Sequence, residues 1–470
     1  MTGIYSALDH GIRSGESFNN TEAFRALFKL IEDNGGGTLY VPPGKYVTGS
    51  ILIPSNTTLY LEGGAVILGS PEPEDYPLLD DSVIPGWGPP VRRGLVSALN
   101  AVNVTITGRG TVDGQGSNWW HRNKDETRPR AVQPIGCDNV RISGITVVNS
   151  AMWTVHPVCC NNVTIDGISI KNPSNSPNTD GINPEGCSNV HIANCHIDVG
   201  DDCVTIKSGT QYDNYRRRPC ENITVTNCTM NNGHGGVVIG SEMSGGVRHV
   251  VISNCVFNGT DRGIRIKTRR KRGGCVEDVR VTGISMVDVY CPLVLNGYYM
   301  CGAPADDMSL FSKEALPVNE GTPVFKDIAI SGVTASGVSA CALFVYGIPE
   351  SPVVGLSVSD FHVKVKRGEV TPRQAAMMHG LEPMAKAGIR LTNVVDCNLR
   401  NLTIDTDGAD SPLYMTAVKE ISVDGLRAPN APSDAAVKLV KCESVRLRGV
   451  PFPVSAEDSE KIDAENGSEG

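Results

Sequence analysis

A chain of 470 residues with a hydrophobic share of 40% is long enough to bury a large core, while 51 glycines, 29 prolines and an aromatic share of 5% favour many short strands and turns over helical bundles. A formal net charge of -9 excludes nucleic acid and anionic membrane as general partners, and no run of 18 apolar residues is present to cross a bilayer. The 15 cysteines, with no C-x-x-C pair among them, read as reduced and mostly buried thiols in place of a zinc or redox motif, so no metal and no cofactor is expected.

In chain order, the opening MTGIYSALDHGIRSG lacks the charged-then-apolar pattern of a secretory signal, so a cytoplasmic location is expected for the chain as it stands. Asn19 with Glu22 three residues on has the form of a capping box. The following TEAFRALFKLIED carries helical apolar spacing and is expected to cap the open edge of the first strands, which begin with GGGTLYVPPGKY.

From there the chain repeats itself. Val104, Val140, Val163, Val190, Ile223, Val250, Val279, Ile328, Leu356, Cys397, Ile421 and Val445 each have Ile, Val or Leu two residues on. Four residues on comes Gly, Asn or Asp, the types that tolerate a left-handed backbone, so each unit is expected to turn a corner there. Most intervals run from 23 to 33 residues, with longer ones of 36, 49 and 41 that must hold insertions. Short strands, a corner at fixed offset and this period describe an all-β solenoid, a single-domain parallel β-helix over residues 1–454. Cys195, Cys228 and Cys255, five residues after their anchors, read as a buried stack. The polar, acidic stretch 455–470 is expected to be disordered.

Four successive coils can be laid in register at TDGINPE from Thr179, DDCVTIK from Asp201, HGGVVIG from His234 and DRGIRIK from Asp261. Ile182, Val204, Val237 and Ile264 then form an inward column. Asn183, Thr205, Val238 and Arg265 form one outward column, and Glu185, Lys207, Gly240 and Lys267 the next, to which His156 of the preceding coil is assigned. Neighbouring parallel strands lie about 4.8 Å apart, so this register would gather Asp180, Asp201 and Asp202 with His234, Arg265 and Lys267. Because an ionised Asp in the core is very costly, a corner before Cys203 is expected to leave both Asp201 and Asp202 exposed. Crowded carboxylates push one another's pKa apart, which supplies a proton donor beside ionised bases and meets the requirement of glycoside hydrolysis. Arg265 and Lys267 suit a sugar that bears its own carboxylate.

At these residues the chain resembles the polygalacturonases, family 28 of the glycoside hydrolases. The resemblance rests on Asn178-Thr179-Asp180, Gly200-Asp201-Asp202, Gly233-His234-Gly235 and Arg265-Ile266-Lys267, in that order, and extends from NTEAF at residue 20 to the last coils near residue 450. It implies a right-handed parallel β-helix and hydrolysis of α-1,4-galacturonosyl bonds in oligo- or polygalacturonate with inversion at the anomeric carbon. By motif, Asp201 matches the general acid, and Asp180 and Asp202 the pair that activates water. His234 matches a residue that tunes the acid or contacts the sugar, and Arg265 with Lys267 the carboxylate-binding pair on the leaving-group side. Tyr298 loosely matches a substrate-contacting tyrosine; Asn178, Lys207 and His156 are further substrate-binding candidates. Gly200 stands where fungal members have Gln, and GDDCVTIKSG, IGSEMSGGV and KTRRKRGG look more like bacterial exo-acting members. The basic run 267–272 is a candidate reader of further substrate carboxylates, with a solvated loop as the alternative. Rhamnogalacturonan or xylogalacturonan hydrolysis, a calcium-assisted lyase reaction on the same fold, and a non-catalytic sugar-binding β-helix are the competing readings.

Overall fold

The computed structural model describes residues 3–122, 127–304, 306–407 and 411–465. The chain divides into two compact units, Met1–Gly233 and His234–Gly470. Each is built from the coils of a right-handed parallel β-helix.

In the first unit the repeat anchors stack one above the next as Val104, Val140, Val163, Val190 and Ile223, through parallel strand pairs in the expected register. In the second the ladder runs Val250, Val279, Ile328, Leu356, Cys397, Ile421 and Val445. These anchors and the apolar residues two positions on are all buried, so each coil closes over the previous one. The corner four residues past the anchor is left-handed throughout, for example at Gly144 (φ 72°), Asn194 (φ 58°) and Asp360 (φ 49°). A second corner lies one residue before the anchor, at Asn103, Asn139, Asn162, Asn189, Asn222, His249 and Asp278 among others. Side-chain amides run along this corner from coil to coil: Asn139 Nδ2 donates to Asn103 Oδ1 at 2.7 Å and Asn222 Nδ2 to Asn189 Oδ1 at 3.0 Å.

The helix spans Thr21–Asp33 and buries Phe24, Leu27, Phe28 and Ile31, the spacing of one helical face. The capping box does not form. Asn20 is the N-cap and makes no side-chain cap bond, Asn19 Oδ1 takes the Thr21 N–H at 3.0 Å, and Glu22 pairs with Arg25. The insertion at 70–94 folds back within the first unit, packing Leu79, Ile84 and Trp87 on Ile135 and Val158. Cys195 and Cys228 lie buried together in the first unit and Cys255 is buried in the second; all 15 cysteines are free.

The expectation of a disordered acidic tail fails over 455–465. Val454–Glu457 pairs with Val437–Val440, and Glu460–Glu465 pairs with Glu443–Arg448. Lys461 takes the left-handed corner (φ 54°) and Ile462 stacks on Val445, so EKIDA is one more repeat unit. Ladder hydrogen bonds require only the backbone, and one inward Ile suffices where the outward side chains face water.

Candidate active site

A cluster of carboxylates lies in the first unit. Parallel bridges align Ile182 with Val204 and Glu185 with Lys207, as the register required, and align Val155 with Ile182. Glycines let these coils approach. A Cβ at Gly181 would lie 2.4 Å from the Cys203 carbonyl oxygen, and the Gly181 N–H donates to the Asp202 carbonyl at 3.0 Å. A Cβ at Gly233 (φ +76°) would lie 2.2 Å from the carbonyl oxygen of Asp201, which explains the glycine before His234. As a result Asp180, Asp201 and Asp202 each place a carboxylate oxygen within 4.8 Å of the other two.

The exposure of this cluster departs from expectation. Asp201 is half-buried, but Asp202 is only 1% and Asp180 3% exposed. Polar partners make the burial of Asp180 tolerable and tie Asp201 to its neighbour. Thr205 Oγ1 donates to Asp180 Oδ2 at 3.1 Å, the Lys207 ammonium stands 3.9 Å from the same oxygen, and Asp201 Oδ1 accepts the Asp202 N–H at 2.9 Å. Asn178, left-handed (φ 57°) and exposed, presents its Oδ1 to Arg128 Nη2 at 2.7 Å.

His156 is two positions away from its assigned column, in the neighbouring outward one. Because Val155 is level with Ile182, His156 stands level with Asn183, and Glu185 is level with Val158. The ring is also sealed in, 1% exposed, with Nε2 at 2.9 Å from Glu185 Oε2 and Nδ1 at 3.4 Å from Gln133 Nε2. That arrangement fits a neutral imidazole that donates from Nε2 and accepts at Nδ1. Burial pushes His156 down to about 4, outweighing Glu185, which acts the other way. Burial alone would raise Glu185, but Arg216, His156 and Lys207 hold its carboxyl below the usual range. His156 therefore supports the site from behind; it is not a charged group open to substrate.

A cluster of cations lies in the second unit. Arg262–Lys267 is buried along its length between Val237–Gly240 and Cys291–Asn296. Arg265 and Lys267 alternate onto one face of it, as expected, though at 2% and 5% exposure they are covered and not open to solvent. The cover is Tyr299, whose ring centre lies 5.6 Å from the Arg265 guanidinium and 4.9 Å from the Lys267 ammonium. The neighbouring Tyr298 faces the other way. It packs edge-on against Tyr346 under Lys313 Nζ, 3.5 Å from its ring centre, and burial pushes its hydroxyl up to about 12. Tyr299, not Tyr298, is thus the tyrosine of the cationic pair; adjacent strand residues face opposite sides, so a one-residue ambiguity in YY reverses the assignment.

His234 is exposed and its Nδ1 lies 2.7 Å from Asp261 Oδ2. Although burial works to raise Asp261, the hydrogen bond from His234 and the nearby Arg262 hold it below the carboxylate range. Asp261 opened the segment that the register set beside His234, so the pairing was legible, but only the structure shows it to be direct. The basic run 267–272 is neither a carboxylate reader nor a solvated loop over Arg269, Arg270 and Arg272, which are buried. Arg270 grips Glu350 and the carbonyls of Ser312 and Glu314, and Arg269 those of Cys301 and Gly302; together they pin down the insertion after Tyr299.

The profile of glycosyl hydrolases family 28 matches residues 88–373. A probable polygalacturonase of Vitis vinifera is 36% identical over 376 residues, covering 77% of this chain and 74% of that protein. An endo-polygalacturonase of Pectobacterium carotovorum subsp. carotovorum is 29% identical over 272 residues, 54% of this chain and 65% of that one. Among solved structures, the hyperthermoactive exopolygalacturonase from Thermotoga maritima aligns with a TM-score of 0.68 at 31% identity, covering 77% of this chain and 88% of that chain.

Proposed function

Because the chain belongs to glycosyl hydrolase family 28 and is a glycosidase of the polygalacturonase type, we propose that it releases galacturonic acid from the non-reducing ends of oligo- or polygalacturonate with inversion. The observation that carries the reading is the triad of carboxylates whose oxygens lie within 4.8 Å of one another, two of them almost fully buried.

Asp201, the most accessible of the three, protonates the leaving oxygen. Asp180 and Asp202 share and deprotonate the attacking water, with the Lys207 ammonium 3.9 Å from Asp180. Closest approaches under 4.8 Å fall below the carboxyl separation of about 6.5–9.5 Å usual for inversion; two bases serving a single water account for the shorter spacing. The family's motifs assign Arg265 and Lys267 to the carboxylate on the leaving-group side and His234, which is paired with Asp261, to tuning the proton donor. What supports exo action is the likeness to the Thermotoga maritima exopolygalacturonase and the pinned insertion after Tyr299. What supports a reducing compartment such as the cytoplasm is the use of 15 free thiols.

Product analysis on long polygalacturonate tests the mode: monomer alone from the first minutes is expected, and an early ladder of oligomers defeats exo action. Anomer-resolved NMR should show the β-anomer first. Asp201→Asn should cost about 10²–10⁴-fold in kcat. A lyase would instead release an ultraviolet-absorbing unsaturated product and stop on adding chelator.

A further inference from the structure

Arg128 and Arg130 flank the coils that carry the acidic cluster, and they are used differently. Arg128 is spent on the backbone: its Nη1 reaches the carbonyls of Ala151 at 2.9 Å and Pro177 at 2.7 Å, beside the bond to Asn178. Arg130 is 7% exposed, yet its only hydrogen bond among the described residues is a long one, Nη1 to the Arg128 carbonyl at 3.4 Å. Its buried Nε has no partner, and no carboxylate lies within ion-pair distance of it among the described residues.

A guanidinium held out of water without a counter-ion is costly, and such a group is usually kept for a ligand that supplies the charge. The nearby acids are already engaged. Glu185 faces Arg216 at 3.7 Å as well as His156, and Asp180 faces Lys207 at 3.9 Å. Burial, with Arg216 next in weight, pushes Arg130 down to about 10 against Glu185, which acts the other way.

The surroundings fit a sugar. The half-buried ring of Trp153 has the Arg130 guanidinium 5.3 Å from its centre and the Lys207 ammonium at 4.6 Å. Val132, Val155 and Ile182 stack in successive coils, so Arg130 and Trp153 enter from the two coils that precede Asp180. Two coil spacings, about 10 Å, accommodate one hexuronate ring with its carboxylate.

We propose that Arg130, backed by Trp153 and Lys207, forms a carboxylate-reading subsite for the sugar on the non-reducing side of the cut bond. This rests on the galacturonan reading and adds to it the demand that this sugar be an unesterified uronate.

The test is digalacturonate, whose single bond places its non-reducing sugar on that side whatever the mode of attack. It is compared as the free acid and as the methyl ester of that sugar. The ratio of kcat/KM values for acid over ester does not depend on how much enzyme is folded, so a poorly folding variant still reports. Loss of a charge-assisted fork corresponds to about 10- to 100-fold. The parent is expected to prefer the acid by that factor, Arg130→Gln to fall towards no preference, and Arg130→Lys to lie between. An Arg130→Gln enzyme that keeps the parent's ratio, or a parent with no preference, overturns the subsite and leaves the hydrolase standing. A parent that cleaves neither compound removes the galacturonan reading and the subsite together.

Discussion

His156 makes the protein's stability fall with pH in a calculable window. In the unfolded chain an ordinary histidine takes up a proton near pH 6.5, whereas in the fold burial holds His156 at about 4. At neutral pH both states are uncharged and nothing is lost. As pH falls below 6.5 the unfolded state gains a proton that the folded state refuses, so stability declines until pH reaches about 4, where the folded ring also protonates. A difference of about 2.5 units corresponds to about 3 kcal/mol at the lower end of the window. Glu185 does not confuse the assignment. Its depressed carboxyl supplies stability that is present above the ordinary carboxylate range and lost only below it, at the acid end. Urea unfolding of the parent and of His156→Gln between pH 7 and pH 4, with the imidazole followed by NMR, measures the effect. The two stability curves should converge by about 3 kcal/mol as the pH drops. Parallel curves, or an imidazole that titrates near 6.5, would refute the argument.

Three further outcomes are expected. Gly233→Ala drives a methyl group to 2.2 Å from the Asp201 carbonyl at a left-handed position, so kcat should fall about 10²-fold while circular dichroism stays that of the parent; an unchanged kcat counts against the placement of Asp201. Tyr299→Ala should raise KM roughly tenfold by uncovering Arg265 and Lys267, whereas Tyr298→Ala, at a fully buried position, should cost about 3–5 kcal/mol of stability; the reverse pattern in kinetics and thermal melts would restore Tyr298 to the site. Asn189→Ala forfeits the left-handed preference, the bond accepted from Asn222 and the bond donated to Asn161, and should lose about 1–2 kcal/mol in denaturant titration, with Asn189→Gly losing less; equal losses would mean the corner is not strained.

The coil was legible in the sequence because its causes are local. An inward side chain every second residue and a left-handed corner four positions after each anchor leave marks that need no neighbour to be read, and every one of those corners is left-handed in the fold. The corner before the anchor was equally visible in the recurring Asn-Val pairs, but it carries no apolar period and was passed over. Ile462 was missed for the opposite reason: composition averaged over an acidic tail hides a single inward residue that the ladder needs.

Sequence alone therefore determined the fold class, the ladder of anchors within each unit and the three carboxylates that cluster in the first, since register in a solenoid follows from period. Burial and pairing were decided only by tertiary structure. Outward columns were expected to meet water, yet the insertion at 70–94 folds over its coils, His156 is sealed against Glu185, Arg130 has no carboxylate at ion-pair distance among the described residues, and Tyr299 instead of Tyr298 covers the cationic pair. Which side chains a long insertion covers depends on where its ends are tied, and that is set by contacts between residues far apart in the chain, for which no local pattern exists.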